Sequence, residues 1–499
     1  MKKILVISRY HRDDDNPIYN SFLKGIYQVK KIVFIDYFNE YALRGKKEFE
    51  VYVKNILKKE KIEEIFFMFV SGDATLDLNF ICNISQNRAI YMVFWDLEQN
   101  YEIIDRYYAQ CANLVLIPSN KEFEEVFKLI DIEAKWIFSL FDKEKYIQEL
   151  KRDIDVSFIG DINKGNRKEY IEYLKQNGIN IEVYGAGSQN GKVSFQKMVE
   201  ILNRSRISLN FSDIFENNTY SFYKNINNRI KQTKGRVVEV CMSGSFLLTE
   251  YSSSLNDLLN IDNIDIFSSK KELLEKIKYY LNNEEERETK AKAAQNEVIV
   301  KYDSLNIAKY LNEKSTRKNY YYVDKEFKKI YGTFRFFYFL EFLSRFRFKE
   351  AFIEFKEALN NKIYLRESFL YLKQINFIER IGIFYKLKNR LRKLDKVVVY
   401  PAGMKTYLFI KLFKLEDKVE FIIDDNMVKG KLFEFDIRDF NQAKERTVLI
   451  SNYLYIDKLG KNLESKKIKY INPFSELYIK KVDNLLNFDI YKIFKRIAK

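Results

Sequence analysis

A cation and a carboxylate stand three residues apart at Arg236 and Glu239, inside a segment with the pattern of a short helix. A helix advances about 100° per residue, so this spacing places both side chains on one face. The guanidinium could neutralise a diphosphate there, while the carboxylate could accept hydrogen bonds from the two vicinal hydroxyls of a ribose. An ordinary surface ion pair, in a helix that Gly244 ends, fits the same residues equally well.

Glycines stand directly after two other apolar runs of the chain, at Gly160 and Gly185. Glycine lets a backbone approach a phosphate, and a helix that begins at Arg167 would favour an anion at its N-terminus. An ordinary strand-to-helix turn with solvated charges explains the same pattern. The run Gly185-Ala-Gly187 also lacks the third glycine of a dinucleotide-binding fingerprint.

The elements that must position these residues form two successive series of strands and helices. Short apolar runs alternate with charged segments of helical period, which predicts parallel sheets covered on both faces. The predicted strands are Ile4–Ser8, Ile32–Asp36, Ile65–Val70, Ala89–Trp95 and Leu114–Pro118, then 155–160, 181–185, 207–211 and 245–249. Because parallel αβ sheets bind ligands beyond the carboxyl ends of their strands, we expect an α/β fold of two tandem Rossmann-like domains with a cleft between them.

The predicted domain organisation has four parts. They are an N-terminal Rossmann-like domain (1–148), a second Rossmann-like domain (149–316), a basic aromatic helical linker (317–393) and a small Rossmann-like domain with an amphipathic tail (394–499). This last domain has Tyr400-Pro-Ala-Gly403 where a dinucleotide site would carry its glycines, and Asp424 at the end of its second strand. The missing glycines favour docking or a degenerate site over cofactor binding.

Composition and charge bound the class of protein. Of 499 residues, 46% are hydrophobic and 31% are charged, which describes a globular chain. The formal charge is +16, and residues 325–393 hold seventeen basic and seven acidic side chains, a surplus of ten. This concentration argues against a nucleic-acid surface along the whole chain. The basic segment and the tail could contact anionic lipid, or they could be packed helices with solvated lysines.

The cysteines and the hydropathy pattern predict a location. Cys82, Cys111 and Cys241 are far apart in the sequence and form no Cys-x-x-Cys motif, and this odd, sparse count without a secretory leader fits a reducing compartment. No stretch offers the roughly 18 uncharged apolar residues that a membrane span needs. We therefore expect a cytoplasmic protein, with peripheral contact at the inner face of the membrane as a further expectation.

The segment around Arg236 resembles a known family. The run from Lys234 to Glu250 (KGRVVEVCMSGSFLLTE) is similar to the signature of CgeB-type, spore-maturation-type glycosyltransferases, which reads R-x-F-E followed by G-x-F-L-L-T. Residues 155–167, 183–185, 207–210 and 270–287 resemble further motifs of that family in the same order. The resemblance covers residues 1–315 and is strongest between 153 and 310.

The resemblance implies a GT-B fold and a nucleotide-sugar donor held mainly by the second domain. Arg236 would contact the donor phosphates and Glu239 the ribose. The remaining implied donor-binding residues are Gly160, Arg167, Gly185, Asn210 and Gly244. Many retaining relatives carry an E-x(7)-E pair, but Lys231 stands where its first glutamate would be, so that mechanism is not carried over. The diphosphate would be stabilised by basic side chains and helix dipoles, with no cofactor and no metal.

A sugar transfer with inversion also needs a base for the acceptor hydroxyl. Asp96 and His11 are the candidates, since both stand in predicted loops at strand ends of the first domain. His11 is the only histidine of the chain, although a lone loop histidine is also an ordinary surface residue. The run Asp13-Asp-Asp15 could mimic a D-x-D metal motif or form a solvated loop.

These features favour a metal-independent glycosyltransferase. It would move a sugar from a nucleotide-sugar to a hydroxyl of a bacterial surface glycan, or of a protein such as a flagellar or spore-coat component. A nucleotide-sugar oxidoreductase or epimerase is one alternative, but it would carry G-x-G-x-x-G after the first strand, where Ser8-Arg-Tyr-His11 stands. A non-catalytic basic scaffold that binds membrane or nucleic acid is the other alternative, and the leading hypothesis includes no nucleic-acid partner.

Overall fold

The structure is a computed structural model that describes residues 2–9, 17–138, 140–214, 231–312, 322–374, 376–425, 427, 429–452 and 455–475. The described chain divides into two compact units. The first unit holds the described residues of Met1–Asp36 and Lys54–Phe327, and the second holds those of Tyr37–Val53 and Lys328–Ile497. The segment Tyr37–Val53 therefore belongs to the unit that contains the basic helices. The predicted boundary at 316 lies outside the described residues.

Six parallel strands form the first sheet: β1 (Lys3–Ser8), β2 (Lys31–Asp36), β3 (Glu64–Met68), β4 (Ala89–Val93), β5 (Leu114–Ile117) and β6 (Ala134–Trp136). Their order is β2-β1-β3-β4-β5-β6, so the winding direction reverses between β1 and β3. The helices between them are α1 (Pro17–Tyr27), α2 (Tyr37–Arg44), α3 (Lys46–Lys59), α4 (Leu78–Ile84), α5 (Leu97–Asn100), α6 (Arg106–Ala109) and α7 (Phe123–Lys128). The five strands predicted here from apolar runs are confirmed.

Five parallel strands form the second sheet: β7 (Ile154–Ile159), β8 (Ile181–Tyr184), β9 (Ser205–Asn210), β10 (Phe246–Glu250) and β11 (Asp265–Phe267). Their order, β8-β7-β9-β10-β11, repeats the winding of the first sheet, with the reversal between β7 and β9. The helices are α8 (Arg167–Gln176), α9 (Phe195–Arg204), α10 (Gly235–Met242), α11 (Leu255–Leu258), α12 (Lys270–Asn282) and α13 (Glu284–Lys301). The prediction of two tandem Rossmann-like domains is confirmed.

Four helices precede the third sheet: α14 (Lys325–Leu343), α15 (Phe348–Asn361), α16 (Leu365–Gln374) and α17 (Phe377–Arg392). The sheet comprises β12 (Val397–Tyr400), β13 (Val419–Ile423), β14 (Gly430–Leu432), β15 (Phe435–Arg438), β16 (Val448–Ile450) and β17 (Tyr470–Ile471), with helices α18 (Met404–Phe413) and α19 (Ile456–Ser465). The strand order is β14-β15-β13-β12-β16-β17, parallel except for the edge strand β14. This confirms the predicted helical segment and the third, small Rossmann-like unit.

Two cysteines that are distant in the sequence meet in the first unit. Cys82, at the end of α4, and Cys111, just before β5, form a disulfide with their Cα atoms 5.2 Å apart. Cys241 is buried in α10 with a free thiol. The sparse cysteine count therefore gives no support for a reducing compartment, because two of the three thiols are paired. None of the described helices is both long enough and apolar enough to cross a membrane.

Candidate functional site

Arg236 and Glu239 form the ion pair that their spacing predicts. Arg236 Nη1 lies 3.0 Å from Glu239 Oε2 on α10, and Glu239 is buried whereas Arg236 is partly exposed. Tyr146, from the segment that connects the two domains, donates its hydroxyl to Glu239 Oε1 at 3.0 Å. Burial raises the pKa of Tyr146 well above its usual value, and the charge of Glu239 adds to the rise, so the phenol remains a donor. The carboxylate is thus held in one orientation from two sides.

The two candidate glycines touch each other at the carboxyl edge of the second sheet. Gly160 follows β7 and its N–H donates to the Tyr184 carbonyl at 2.8 Å, while Gly185 follows β8 with φ of +123°. A Cβ on Gly185 would overlap the Gly160 carbonyl oxygen, so this position admits only glycine. The carboxyl edge of β7 and β8 therefore has a bare backbone surface, which is the feature that a phosphate-binding loop requires.

Arg167 begins α8 as expected, but its guanidinium is turned into the protein. It donates to the carbonyl oxygens of Asp161 at 2.8 Å and of Asp213 at 2.5 Å, with a longer bond of 3.4 Å to the Phe211 carbonyl. Burial lowers its pKa. Arg167 therefore fixes the loops that follow β7 and β9, and contact with a donor phosphate stays a prediction.

Lys234 is a cation that the sequence reasoning passed over. It precedes α10, and its Nζ donates to the carbonyls of Phe211 and Asp213, the same two oxygens that Arg167 engages. Burial, and then the charges of Arg167 and Lys164, hold the pKa of Lys234 well below its usual 10.5. Like charges are thus gathered beside the start of α10, at the carboxyl edge of the sheet. Its place as the first residue of the quoted motif was the signal available in the sequence.

Asn210 and Gly244 occupy structural positions. Asn210 is buried at the end of β9 and donates to Thr249 Oγ1 at 2.9 Å. Gly244 ends α10 with φ of +71°, as predicted, and its carbonyl accepts a hydrogen bond from Arg152. Since α10 starts at the carboxyl edge of the sheet and Gly244 precedes β10, Gly244 lies at the opposite edge from Gly160. This placement separates it from the other donor-site candidates.

Asp96 stands at the carboxyl end of β4 in a strained conformation. Its φ of +56° is in the left-handed region that non-glycine residues seldom occupy, and its side chain makes no capping bond to α5. Gln232 from the second domain donates its amide to Asp96 Oδ1 at 3.3 Å and to Glu98 Oε2 at 2.9 Å. His11, the other candidate base, and Asp13-Asp-Asp15 lie outside the described residues.

Two buried carboxyl groups accompany Asp96. Glu98 accepts hydrogen bonds from the Ser119 hydroxyl and the Asn120 N–H, and Asp105 lies in a single π-helical turn, Tyr101–Asp105. Burial raises the pKa of Glu98, and it raises the pKa of Asp105 well above its usual value, with the charge of Asp96 adding to both. Asp105 Oδ2 is buried without a hydrogen-bond partner. Sequence reasoning missed both groups.

Residues 231–233 of the second domain form a short segment, which we call the strap, and the Asn120 side chain of the first domain binds it. Asn120 donates to the Lys231 carbonyl at 2.8 Å and accepts from the Thr233 N–H at 2.8 Å. Lys231 itself pairs with Asp213 Oδ1 at 2.6 Å and with Glu250 Oε2 at 3.3 Å. These bonds bring the carboxyl edges of both sheets together around residues 231–233, next to Lys234.

The third sheet places its two predicted residues side by side. Asp424 follows β13, and its Oδ2 accepts a hydrogen bond from the Ala402 N–H at 3.0 Å, within the loop that joins β12 to α18. Gly403 caps α18 with φ of +151°. The carboxylate is therefore already engaged by the loop, and a ligand for this unit stays outside what the geometry supports. Among the described residues of the whole chain, no group of three or more His, Cys, Asp or Glu side chains could hold a metal ion.

Residues 167–313 match the protein-family model described as "Glycosyl transferase-like". The match begins with α8 and ends after α13, so it contains Arg167, Lys234 and the Arg236–Glu239 pair. No curated protein matches the chain.

Several solved structures are similar to part of the chain at low identity. The Anabaena protein HepE in complex with UDP has a TM-score of 0.44 at 11% identity, over 62% of this chain and 98% of that one. Sucrose-phosphate synthase from Thermosynechococcus elongatus has a TM-score of 0.45 at 10% identity, over 62% and 97%. The β-glucosyltransferase of phage T4 in complex with UDP-glucose has a TM-score of 0.40 at 13% identity, over 62% and 98%. The chain therefore has an α/β fold with two tandem Rossmann-like domains, and residues 167–313 of the second domain are similar to the glycosyl transferase-like family.

Proposed function

We propose that this protein is a glycosyltransferase of the CgeB type that moves a sugar from a nucleotide-sugar donor to a hydroxyl of a surface glycan or protein. The observation that carries the proposal is the Arg236–Glu239 pair, oriented by Tyr146, beside the start of α10. A buried, oriented carboxylate suits the two vicinal hydroxyls of a ribose, and cations at a helix N-terminus suit a diphosphate.

The reaction would break the bond between the anomeric carbon and the β-phosphate oxygen and form a bond from that carbon to the acceptor oxygen. The proton of the acceptor hydroxyl would pass to Asp96, and the bonding electron pair would leave with the nucleoside diphosphate. Arg236 and Lys234 would neutralise the charge that develops on the diphosphate, aided by the N–H groups at the start of α10. These contacts make the transfer independent of a metal in our proposal.

Nucleotide-sugar binding tests the donor site directly. We expect one member of a panel of UDP-, GDP-, CMP- and TDP-sugars to raise the melting temperature, since ligand at 100 times its Kd adds about 2.7 kcal/mol to the free energy of unfolding. Glu239→Ala and Arg236→Ala should each abolish that shift. A shift that survives both substitutions would place the nucleotide in the third sheet, and the absence of any shift would favour a non-catalytic scaffold.

Lys234→Met should separate binding from stability. The carbonyls of Phe211 and Asp213 keep Arg167 as a donor in this variant, so no buried acceptor is left without a partner. Removal of a buried ammonium should leave the apo protein as stable as wild type, or about 1 kcal/mol more stable, while the donor-induced thermal shift is lost.

The same variant makes a prediction about pH. Because the pKa of Lys234 is lower in the folded protein than in the unfolded chain, the cost of its burial is largest below the folded-state pKa and fades as pH rises from there toward 10.5. The difference in unfolding free energy between Lys234→Met and wild type should therefore shrink with rising pH. Lys168→Met, which removes an exposed lysine paired with Glu172, is the matched control and should change neither property. A loss of more than about 3 kcal/mol in apo Lys234→Met would show that the lysine is structural.

A further inference from the structure

The helices that precede the third sheet expose an unusual number of large apolar side chains. Phe352 is 68% exposed, Leu365 is 77% exposed and Ile378 is 84% exposed. The full set, which we call the apolar face, is Phe348, Phe352, Leu359, Leu365, Phe369, Ile378 and Tyr385. Scattered exposed apolar residues are normal on a protein surface, but seven of them within 38 residues is a concentration that needs an explanation.

The apolar side chains of α15 form a stripe that does not face the interior. Phe348, Phe352 and Leu359 are four and seven residues apart, so they lie within about 40° of one another around the helix. The side chains that α15 buries, among them Glu354 and Ala358, occupy a different sector of the same helix. The stripe is therefore a second apolar surface, in addition to the one that packs the helix against the core.

Helix α16 repeats this arrangement. Leu365 and Phe369 are four residues apart and exposed, whereas Ser368 and Tyr371 are buried. Phe346 connects the face to α17, since its ring centroid lies 6.1 Å from that of Phe348 and 6.5 Å from that of Tyr385. The partly buried ring of Phe346 thus lies next to exposed rings at the start of α15 and in the middle of α17.

The exposed charged side chains described on these helices are basic. Among the described side chains from 348 to 392, every exposed charged residue is basic: Lys349, Lys356, Lys362, Lys373, Lys386, Lys388 and Arg392. Two acidic residues of α15 are engaged by arginines. Glu350 pairs with Arg347 at 2.6 Å, and buried Glu354 lies 3.2 Å from Arg335. The exposed basic residues of this segment are therefore mostly lysines.

Lysines also flank the stripe at a fixed angle. Lys356 lies four residues after Phe352, and Lys373 lies four residues after Phe369, so each ammonium is about 40° from the nearest exposed ring. Lys373 Nζ is 4.9 Å from the centroid of Phe369. Lysine can extend its charge outward while its methylene stem covers an apolar neighbour, which suits a boundary between a hydrocarbon phase and water.

We infer that the apolar face of α15–α17 holds the protein on an anionic membrane surface. Phenylalanine, leucine and isoleucine side chains would enter the boundary between headgroups and acyl chains, and the flanking lysines would meet the lipid phosphates. Nucleic acid fits this face less well, because the aliphatic side chains Leu359, Leu365 and Ile378 offer no ring on which a base could stack, whereas acyl chains accept aliphatic and aromatic side chains alike. The sequence left lipid contact and internal packing open for this segment, and the structure assigns different residues of the same helices to each.

Vesicle flotation with the full chain tests this inference. We expect wild type to float with vesicles that contain about one-third phosphatidylglycerol and not with vesicles of phosphatidylcholine alone. The double variant Phe352→Asp/Phe369→Asp should lower the partition coefficient at least about tenfold. Each of Lys356→Gln and Lys373→Gln should lower it about fivefold. Raising the salt from about 0.1 M to about 0.5 M should weaken wild-type binding.

A matched control separates this face from apolar exposure in general. Leu129→Asp/Val300→Asp replaces two exposed apolar residues of the first unit and should leave flotation unchanged. The circular dichroism of both double variants should match wild type, since all four side chains are exposed. Equal binding to neutral and anionic vesicles, or none to either, would overturn the inference. If sedimentation velocity then showed self-association that Phe352→Asp/Phe369→Asp abolishes, the face would be an interface between copies of the chain.

Discussion

Asp96→Asn is expected to lower kcat for sugar transfer by about 10²–10⁴-fold while leaving donor binding intact. The substitution keeps the size of the side chain and one of its oxygens, but it removes the carboxylate that would take the acceptor proton. Donor affinity should persist because Lys234, Arg236 and Glu239 are all in the second domain. The measurement is steady-state kinetics on the donor and acceptor that the nucleotide-sugar panel identifies, with the donor Kd determined beside it.

The position of Asp96 supports this expectation more than its residue type does. Strained backbone persists where the surroundings impose it, and it clusters at functional sites. Asp96 combines a φ of +56° with a location at the carboxyl end of β4, and Gln232 reaches it from the strap that precedes Lys234. A carboxylate in this position faces the part of the second domain that would hold the donor.

The pKa values of two neighbouring carboxyl groups, together with a control variant, test whether Asp96→Asn acts through the lost charge of Asp96. Since the charge of Asp96 contributes to the raised pKa of Glu98 and of Asp105, both pKa values should fall in Asp96→Asn, although burial keeps them elevated. Glu102→Gln is the control, because Glu102 is an exposed carboxylate of the same π-helical turn and pairs with Arg106. A loss in kcat below about tenfold in Asp96→Asn would move the proposed base to His11.

Local sequence patterns predicted the parts of this protein that local physics determines. Continuous apolar runs identified the strands from β1 to β5, because strands buried on both faces need no polar alternation. The three-residue strands β6 and β11 escaped, since such short runs carry no period. The Arg236–Glu239 pair was predictable because a spacing of three residues fixes proximity within one helix.

The remainder of the candidate site depends on contacts between distant residues. Tyr146 is 93 positions from Glu239, and nothing in its neighbourhood of the sequence marks it. The altered pKa of Lys234 arises from burial beside Arg167, which only the folded loops produce. The disulfide between Cys82 and Cys111 likewise joins residues that only the folded chain brings together. Arg167 is a case in which the local pattern did not predict the partners of the side chain. A cation at the start of a helix suggests contact with an anion, but the guanidinium of Arg167 binds backbone carbonyls in the structure.

The burial of side chains in the basic helical segment also could not be predicted from the sequence. The net charge of this segment can be counted from the sequence. Which of its charged side chains are buried and which are exposed cannot. Arg335, Arg345 and Arg380 are fully buried, whereas the lysines of α15–α17 are exposed. Arginine suits buried pairs because its planar guanidinium donates several bonds in fixed directions and is more weakly hydrated than an ammonium.

Glu341→Gln is expected to destabilise the helical segment by about 3–5 kcal/mol. Glu341 is the single buried carboxylate that Arg345 and Arg380 share, and its Oε1 also accepts the Tyr371 hydroxyl at 2.6 Å. The neutral amide would remove the negative charge that both buried guanidinium groups engage. Hydrogen exchange of peptides from α14 and α17 would measure the loss locally, with Asp436→Asn, at an exposed pair, as a control that should cost less than about 1 kcal/mol.

The stabilisation that Glu341 provides depends on pH, and the direction of its pKa shift gives the direction of that dependence. Burial alone would raise the pKa of Glu341, but the charges of Arg345 and Arg380 outweigh it and hold the pKa below its usual 4.5. The stabilisation is therefore complete at neutral pH and is lost as pH falls through the lowered value. The difference between wild type and Glu341→Gln should shrink in acid, and a difference that does not change with pH would mean that the variant acts through packing instead of charge.

A four-residue replacement tests whether this network contributes net stability to the helices. Glu341→Leu combined with Arg345→Met, Arg380→Met and Tyr371→Phe removes Glu341 and the three side chains that bind it, at similar volume. Such apolar replacements of buried ion networks are often neutral or stabilising. We expect hydrogen exchange protection in α14 and α17 to return to at least the wild-type level, although Glu341→Gln alone lowers it. Recovery would show that the network is costly only when incomplete, and failure to recover would show that these ion pairs contribute net stability to the helices.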